Sequence, residues 1–391
     1  MSGNSANIND QFLGQALDLA RQGIGLASPN PYVGAVIVDA RGSIVGTGCY
    51  TYVGVKHAEV LALEQAGGRA RGGTLYINLE PHSHQGRTPP CTDALIAAGI
   101  KRVVASMWDP NPKVSGQGFE KLRDAGIQVD VGGLETEARR LNEHFARYIR
   151  HAFPLVTLKA AMTLNGKIAP APETELNRAP GTPAGGWITG EAARANVQQQ
   201  RRQSDAVLVG VGTIIADDPL LTDRSGLPRR RPLLRVILDS RLRMPLESRV
   251  VKTVTTGDSP RSDVLVFCSA PDENKKRELE ARGIHVEHVP PAADERPEIC
   301  AVLRRLGELE ITSVMIEGGS ELNATALNSG VVDKVFLYYA PKIITASGSI
   351  PFIAHGAFRP NDPLPQVKRF TLHSFGDDFA VEGYLRDPYE E

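Results

Sequence analysis

The sequence predicts a two-domain α/β chain, and three observations predict it. The chain has 391 residues, where one domain usually takes about 100–200. Helix-like and strand-like patterns alternate along nearly all of it. That alternation pauses near residues 148–153 and restarts with Pro154-Leu-Val-Thr-Leu-Lys159, which places domains at 1–150 and 151–391. Hydrophobic residues make up 41% and charged residues 23%, enough apolar matter for two cores.

The elements follow in order. Phe12, Leu13, Ala16, Leu17 and Ala20 recur at helical spacing, and Gly23 stops that helix. Runs rich in β-formers at 33–38, 74–79 and 101–105 read as strands, and 58–65 and 92–98 read as helices between them. Sheet with helices on its faces makes the first half a layered domain. The second half gives strands at 154–159, 206–210, 234–238, 264–268, 313–317 and 334–339. It also gives a helix over 275–283 and another opening near Ser320. Residues 170–186 and 290–297, rich in Pro, Ala, Glu or Gly, read as loops. Arg229-Arg230-Arg231, set between two prolines, reads as a solvated loop.

Charge and composition exclude several function classes. Lys plus Arg is 44 and Asp plus Glu is 45, a formal charge of −1, which argues against a nucleic-acid binder. No apolar run reaches the about 18 residues of a membrane span. The opening MSGNSANINDQ has no apolar signal segment. Four scattered cysteines (Cys49, Cys91, Cys268, Cys300) suit a reducing compartment, so a cytoplasmic protein is expected. Cys49 reads as a core thiol.

The most informative cluster is His57-Ala58-Glu59, then Glu80-Pro81-His82-Ser83-His84, then Pro89-Pro90-Cys91. Hydrolytic deamination needs a water made nucleophilic near neutral pH and a carboxylate that moves its proton to the departing ammonia. A zinc ion on three protein ligands supplies the first, and a non-ligating Glu two residues after a His ligand supplies the second. His57 and Glu59 open a predicted helix and so face one pocket. Cys91 opens the next helix, where the positive end of the dipole favours a thiolate.

With Ser28-Pro29-Asn30-Pro31 and the run Gly86-Arg87-Thr88-Pro89-Pro90-Cys91-Thr92-Asp93-Ala94 added, the chain closely resembles the bacterial bifunctional riboflavin-biosynthesis deaminase–reductases. The resemblance covers almost the whole chain. It implies a cytidine-deaminase-like layered domain followed by a dihydrofolate-reductase-like domain. It implies zinc on His57 and Cys91 and on a third ligand at the position of His82, with Glu59 as the catalytic proton shuttle. Asn30 would meet the substrate's ribose portion and Arg87 its phosphate. The implied substrates are phosphoribosylaminopyrimidines: 2,5-diamino-6-(5-phosphoribosylamino)pyrimidin-4-one is deaminated, and the resulting uracil is reduced with NADPH to its ribitylamino form. A homo-oligomer is expected, with neither nucleic acid nor membrane as partner.

One departure stands at the metal site. The family reads E-P-C-S-H where this chain has Glu80-Pro81-His82-Ser83-His84. A neutral imidazole binds zinc at nearly the distance a thiolate does, which leaves two readings. Either zinc sits on two histidines and one cysteine, or a deaminase fold impaired by His82 accompanies a working reductase.

In the second half, Thr157 to Lys167, Trp187-Ile188-Thr189-Gly190 and Gly210 to Thr222 resemble the reductase landmarks. Gly210-x-Gly212 follows a strand, but Ile215 stands where a dinucleotide fingerprint needs its third glycine, so that reading is rejected. Ile316-Glu317-Gly318-Gly319-Ser320 makes a better phosphate cradle: a strand ends in two glycines and a helix starts at once. Read alone, that segment is equally a tight turn. The resemblance implies NADPH contacts at Ala161, Trp187, Thr213, Asp217, Ser240 and Gly319, Ser320, Glu321, Leu322, Asn323, Ala324 and Thr325. It implies substrate contacts at Arg201, Leu221, Arg224 and Glu317; guanidinium forks suit a ribose phosphate. Lys159 either points at the pocket or lies on the surface. The linker from Ala169 to Trp187 is longer than the family's, and Gly185 replaces a substrate-contacting serine.

Overall fold

The computed structural model describes residues 2–52, 56–85, 89–171, 186–255, 262–354 and 364–390. Arg87 and Gly185 lie outside them. The chain divides into two compact units, Met1–His151 with Pro228–Arg230, and Ala152–Leu227 with Arg231–Glu391.

The first unit holds strands β1 (Gly34–Val38), β2 (Ile44–Cys49), β3 (Thr74–Ile77), β4 (Arg102–Ala105) and β5 (Gln128–Val131), in sheet order β2-β1-β3-β4-β5. β1 is antiparallel to β2 and β3, whereas β3, β4 and β5 run parallel. All five residues of β1 are buried, as a strand covered on both faces requires. Val36 and Val38 face helix α1 (Ser2–Gln22) through Leu13 and Ala16. Ala35 and Ile37 face α2 (Ala58–Ala66), α3 (Cys91–Ala98) and α4 (Gln117–Asp124) through Ala62, Leu95 and Phe119. Helices α5 (Glu135–Leu141) and α6 (Glu143–His151) close the unit's sequence.

β2 escapes a reading by propensity, because its six residues include two glycines. The glycines have a packing reason. A Cβ on Gly48 would strike the Ala58 carbonyl oxygen, and one on Gly46 the Ala62 carbonyl oxygen. Without side chains there, α2 lies flush on the sheet and carries His57 and Glu59 inward.

The second unit builds a nine-stranded sheet in the order β11-β10-β9-β8-β12-β6-β13-β16-β15. Its strands are β6 (Leu155–Thr163), β8 (Ala206–Gly210), β9 (Leu234–Leu238), β10 (Val264–Cys268), β11 (His285–His288), β12 (Ser313–Ile316), β13 (Lys334–Ala340), β15 (Lys368–Phe375) and β16 (Asp378–Tyr384). The run from β11 to β13 is parallel, and β16 and β15 add antiparallel. β7 (Lys167–Ala169) pairs separately with β14 (Ile350–Pro351). Alternate residues feed two cores: Leu208, Val236 and Ile316 into one, Val209, Ile237 and Met315 into the other. The helices are α7 (Glu191–Gln203), α8 (Val211–Asp217), α9 (Arg249–Lys252), α10 (Glu273–Glu280), α11 (Ile299–Glu308) and α12 (Ser320–Asn328).

The arginine run differs from its expected solvated loop. All three side chains are half-buried: the Arg230 guanidinium lies 4.0 Å over the Tyr52 ring, and Arg231 Nη2 donates to the Glu310 carbonyl at 2.8 Å. A guanidinium covers apolar and aromatic surface with its planar face.

Candidate active sites

The first site forms where α2 and α3 begin. His57 precedes α2, Cys91 opens α3 and His82 follows β3. Their ligand atoms all lie within 4.8 Å of one another. Cys91 Sγ is 3.4 Å from His57 Nδ1, near the about 3.5 Å that tetrahedral zinc bonds impose between neighbouring ligand atoms. The His57 and His82 rings sit 4.4 Å apart.

Glu59 is 3% exposed, and its Oε2 has no hydrogen-bond partner among the described residues. A carboxylate so buried calls for a cation. Burial pushes the Cys91 thiol well up, and the charge of Glu59 and its hydrogen bond add to the shift. A divalent cation would relieve both groups, so the donor set fits zinc.

A cavity of about 320 Å³ opens on these residues. Asn30 lines it, with Nδ2 donating to the Tyr50 hydroxyl at 2.5 Å. The segment carrying Asn30 contains a cis Ser28-Pro29 bond and is pinned at Tyr32. There Asn142 Oδ1 accepts the peptide N–H at 2.7 Å, and Asn78 Nδ2 donates to the carbonyl at 2.8 Å.

Two further lining residues, Asp109 and Asn111, were missed from sequence. Burial, then the nearby Glu80 charge, pushes Asp109 up to about 6, against a lowering hydrogen bond from the Asn111 backbone. The available signal was Asp109-Pro110-Asn111-Pro112, a polar turn just past the end of β4. Glu80 itself is a staple: its carboxylate accepts the N–H groups of Asp109, Gly116 and Gly118 at 3.1, 2.9 and 2.8 Å. Cys49 is half-buried, and burial pushes its thiol up to about 11.

The second site lies at the carboxyl ends of the parallel strands, where open α/β sheets hold ligands. Glu317, just past β12, takes Arg201 Nε at 2.7 Å and Lys159 Nζ at 3.6 Å. Burial alone would raise Glu317, but Arg201 and Lys159 hold it down to about 2. Burial in turn lowers Lys159, with Glu317 opposing. Lys159 thus faces the pocket rather than the surface. Arg201 also donates from Nη1 to the Thr222 carbonyl at 3.0 Å.

Arg224 is exposed and shifted down by partial desolvation and by Arg201 and Arg249. Three guanidiniums therefore share one neighbourhood. Arg249, on α9, was missed because nothing in its local sequence sets it apart. The Leu221 side chain belongs to the apolar core at 2% exposure, so only its main chain can face a ligand.

Gly319 caps α12, and among the described residues a Cβ there would meet nothing within 4 Å, which leaves room against the backbone. Among the described residues Ser320 Oγ is buried without a hydrogen-bond partner. An open backbone turn, a helix N-terminus and an unsatisfied hydroxyl fit a pyrophosphate. Ala161 on β6, Thr213 and Asp217 on α8, and Ser240 beyond β9 are each half-buried in this unit. Glu321, Leu322, Asn323, Ala324 and Thr325 continue α12, with Leu322, Asn323 and Ala324 buried. Trp187 is 47% exposed, its ring 5.0 Å from the Arg194 guanidinium and its carbonyl 3.2 Å from Lys342 Nζ.

Residues 6–107 match the cytidine and deoxycytidylate deaminase zinc-binding region, and residues 154–380 match the RibD C-terminal domain. The riboflavin biosynthesis protein RibD of Aquifex aeolicus is 40% identical over 96% of this chain and 98% of its own length. That of Escherichia coli is 38% identical, covering 95% and 98%. Among solved structures, RibD of Acinetobacter baumannii superposes with a TM-score of 0.78 at 33% identity, covering 97% of this chain and 99% of that one. A Thermotoga maritima diaminohydroxyphosphoribosylaminopyrimidine deaminase/5-amino-6-(5-phosphoribosylamino)uracil reductase gives 0.77 at 35% identity with the same coverage.

Proposed function

We infer that this chain performs two successive steps of riboflavin biosynthesis, because it belongs to the RibD family of bifunctional deaminase–reductases. The reading with a reductase alone is not favoured, since both catalytic domains match and the metal-ligand cluster is formed. Residues 1–150 carry the deaminase and 151–391 the reductase. The first reaction removes the 2-amino group of 2,5-diamino-6-(5-phosphoribosylamino)pyrimidin-4-one, and the second reduces the ribosyl group of the uracil product.

In the deaminase, His57, His82 and Cys91 hold zinc, which supplies the Lewis acidity that makes a water nucleophilic near neutral pH. Glu59 holds the proton that this water gives up and delivers it to the departing amino group. Asn30, Asp109 and Asn111 orient the substrate from the facing wall. Arg87 is proposed for its phosphate.

In the reductase, NADPH supplies the hydride. The Gly319 to Thr325 turn and helix hold its pyrophosphate, and Ala161, Trp187, Thr213, Asp217 and Ser240 complete its site. Arg201, Arg224 and Arg249 draw the substrate phosphate, and the Leu221 main chain borders it. Glu317 keeps Lys159 in place, and Lys159 Nζ holds the proton that the opening ribose oxygen takes as hydride reaches C1.

We also propose a homo-oligomer in the cytoplasm. The exposed Phe370 and Leu372 of β15 support the first. The cysteines, free among the described residues, support the second. No helix of the described residues is long and apolar enough to cross a membrane.

The observation that carries the deaminase reading is the convergence of three ligand atoms beside a buried, cation-seeking Glu59. Zinc per chain and ammonia release measured together test it. About one zinc per chain is expected, with ammonia release lost on chelation and restored by zinc. A metal-free protein that releases ammonia sinks it.

A further inference from the structure

We propose that Arg241 reads the 2′-phosphate of NADPH and so sets the preference for NADPH over NADH. The inference rests on the cofactor reading above, with the pyrophosphate at Gly319 and Ser320 and the adenosine half directed toward Ser240. NADPH and NADH differ in one group, a phosphate dianion on the adenosine ribose. Selection between them therefore needs a cation placed at that group.

β9 stands two strands from β12 in the sheet. At about 4.8 Å per strand its end lies about 10 Å from the cradle, a span that a ribose and its adenine cover. The turn beyond β9 is firmly held. The Ser240 carbonyl accepts the N–H groups of Ser269 and Ala270 at 3.2 and 2.8 Å, and Leu242 donates to the Asp239 carbonyl at 3.2 Å. Leu242 takes a left-handed φ of 56° and buries its side chain in the core beneath. Arg241, between them, is left exposed.

A chain of contacts places Arg241 on the cofactor's side. Its Nη2 lies 3.1 Å from Glu295 Oε2. The Glu295 carbonyl accepts the Ser269 hydroxyl at 2.7 Å. The next residue, Arg296, reaches Glu321 in the first turn of α12 at 3.3 Å. Arg296 is further occupied by Asp294 at 3.5 Å. Arg241 has Glu295, in a pair 68% and 81% exposed, and so exposed a pair holds weakly. A phosphate dianion offers twice the charge and a bidentate match to the guanidinium fork. It therefore displaces Glu295, which serves Arg241 as a partner until the cofactor arrives.

Fluorescence titration of the full zinc-loaded chain with NADPH and with NADH tests this without substrate or turnover. R241A should weaken NADPH by about ten- to a hundredfold and leave NADH unchanged, with R241K in between. E295Q should tighten NADPH by a few fold. R243A, which removes an equally exposed arginine of the same turn, should change neither. Equal shifts for both cofactors in R241A, no shift in either, or a selective loss in R296A or R243A in its place would overturn the proposal. G319D separates it from the cofactor reading. If G319D abolishes both cofactors while R241A leaves their affinity ratio unchanged, only Arg241 is wrong. If G319D leaves both intact, the cradle is wrong and Arg241 falls with it.

Discussion

Each active site is built around a glutamate withdrawn from water, and the two glutamates are satisfied in opposite ways. Glu317 has its cations supplied by the chain, Arg201 at 2.7 Å and Lys159 at 3.6 Å. Glu59 faces a buried thiol and two imidazoles, and its Oε2 has no hydrogen-bond partner among the described residues. In the reductase site the carboxylate is satisfied before any ligand enters, while the neighbouring guanidiniums keep a cationic excess. The deaminase site is completed only by a metal. The proposed roles suit that contrast: a proton-moving Glu59 needs to stay unclamped, whereas a Glu317 that positions its neighbours is best held fast.

That contrast breaks most visibly at Glu59. Glu59→Gln should lower ammonia release by about 10²- to 10⁴-fold, the usual worth of a positioned acid–base group. Zinc per chain should stay at its native value, since Glu59 is not a ligand, and the melting temperature should hold or rise. A variant within tenfold of the native rate would mean that another group shuttles the proton. Asp109, raised to about 6 in the same cavity, would be the first replacement to examine.

Glu317→Gln should behave in the opposite manner. It leaves two largely buried cations without their anion, a change that typically costs about 3–5 kcal/mol, to be read by chemical denaturation. The pH profile sharpens the comparison. Glu317 is lowered from an ordinary 4.5 to about 2, so its contribution is fully present above about 4.5. It is lost as pH falls from there through about 2. The variant should therefore show a flatter acid limb than the native chain. An unchanged stability would show that Arg201 and Lys159 find other partners.

The two regions also differ in how much of them the sequence discloses. The meeting of His57 and Cys91 was legible because both stand at helix starts in short, ordered motifs, and the fold brings their ligand atoms together with those of His82. The central strands were legible because a strand covered on both faces is a continuous apolar run, as in Val207-Leu208-Val209. β2 was not, because Gly46 and Gly48 serve contact with α2 at the expense of strand propensity. β15 was missed for a related reason: Lys368-Arg369-Phe370-Thr371-Leu372 is an edge strand exposed along nearly its whole length, with no buried face to mark it. Arg249 and Arg201 become neighbours only through the fold, so no local pattern announces their meeting. Leu221 shows the reverse: a resemblance marked the position, while nothing local announced that the fold would bury its side chain in the core.

The smallest effect tests the one ligand that departs from the family's pattern. An imidazole binds zinc as a neutral ligand, whereas a thiol must lose its proton. Burial and Glu59 keep the metal-free Cys91 protonated, so the native site should release about one proton per zinc bound near neutral pH. His82→Cys brings a second thiol into the same buried pocket and should release about two. The count can be read from the dependence of zinc-binding heat on buffer ionisation enthalpy. A second thiolate also neutralises more of the ion's charge, so the variant should resist chelators better, by about tenfold or more. NADPH binding should not move, because no reductase residue changes. Equal proton counts in the two proteins would remove His82 from the ligand set. If instead the native chain binds no zinc, while His82→Cys binds a full complement and releases ammonia, the reductase-only reading returns.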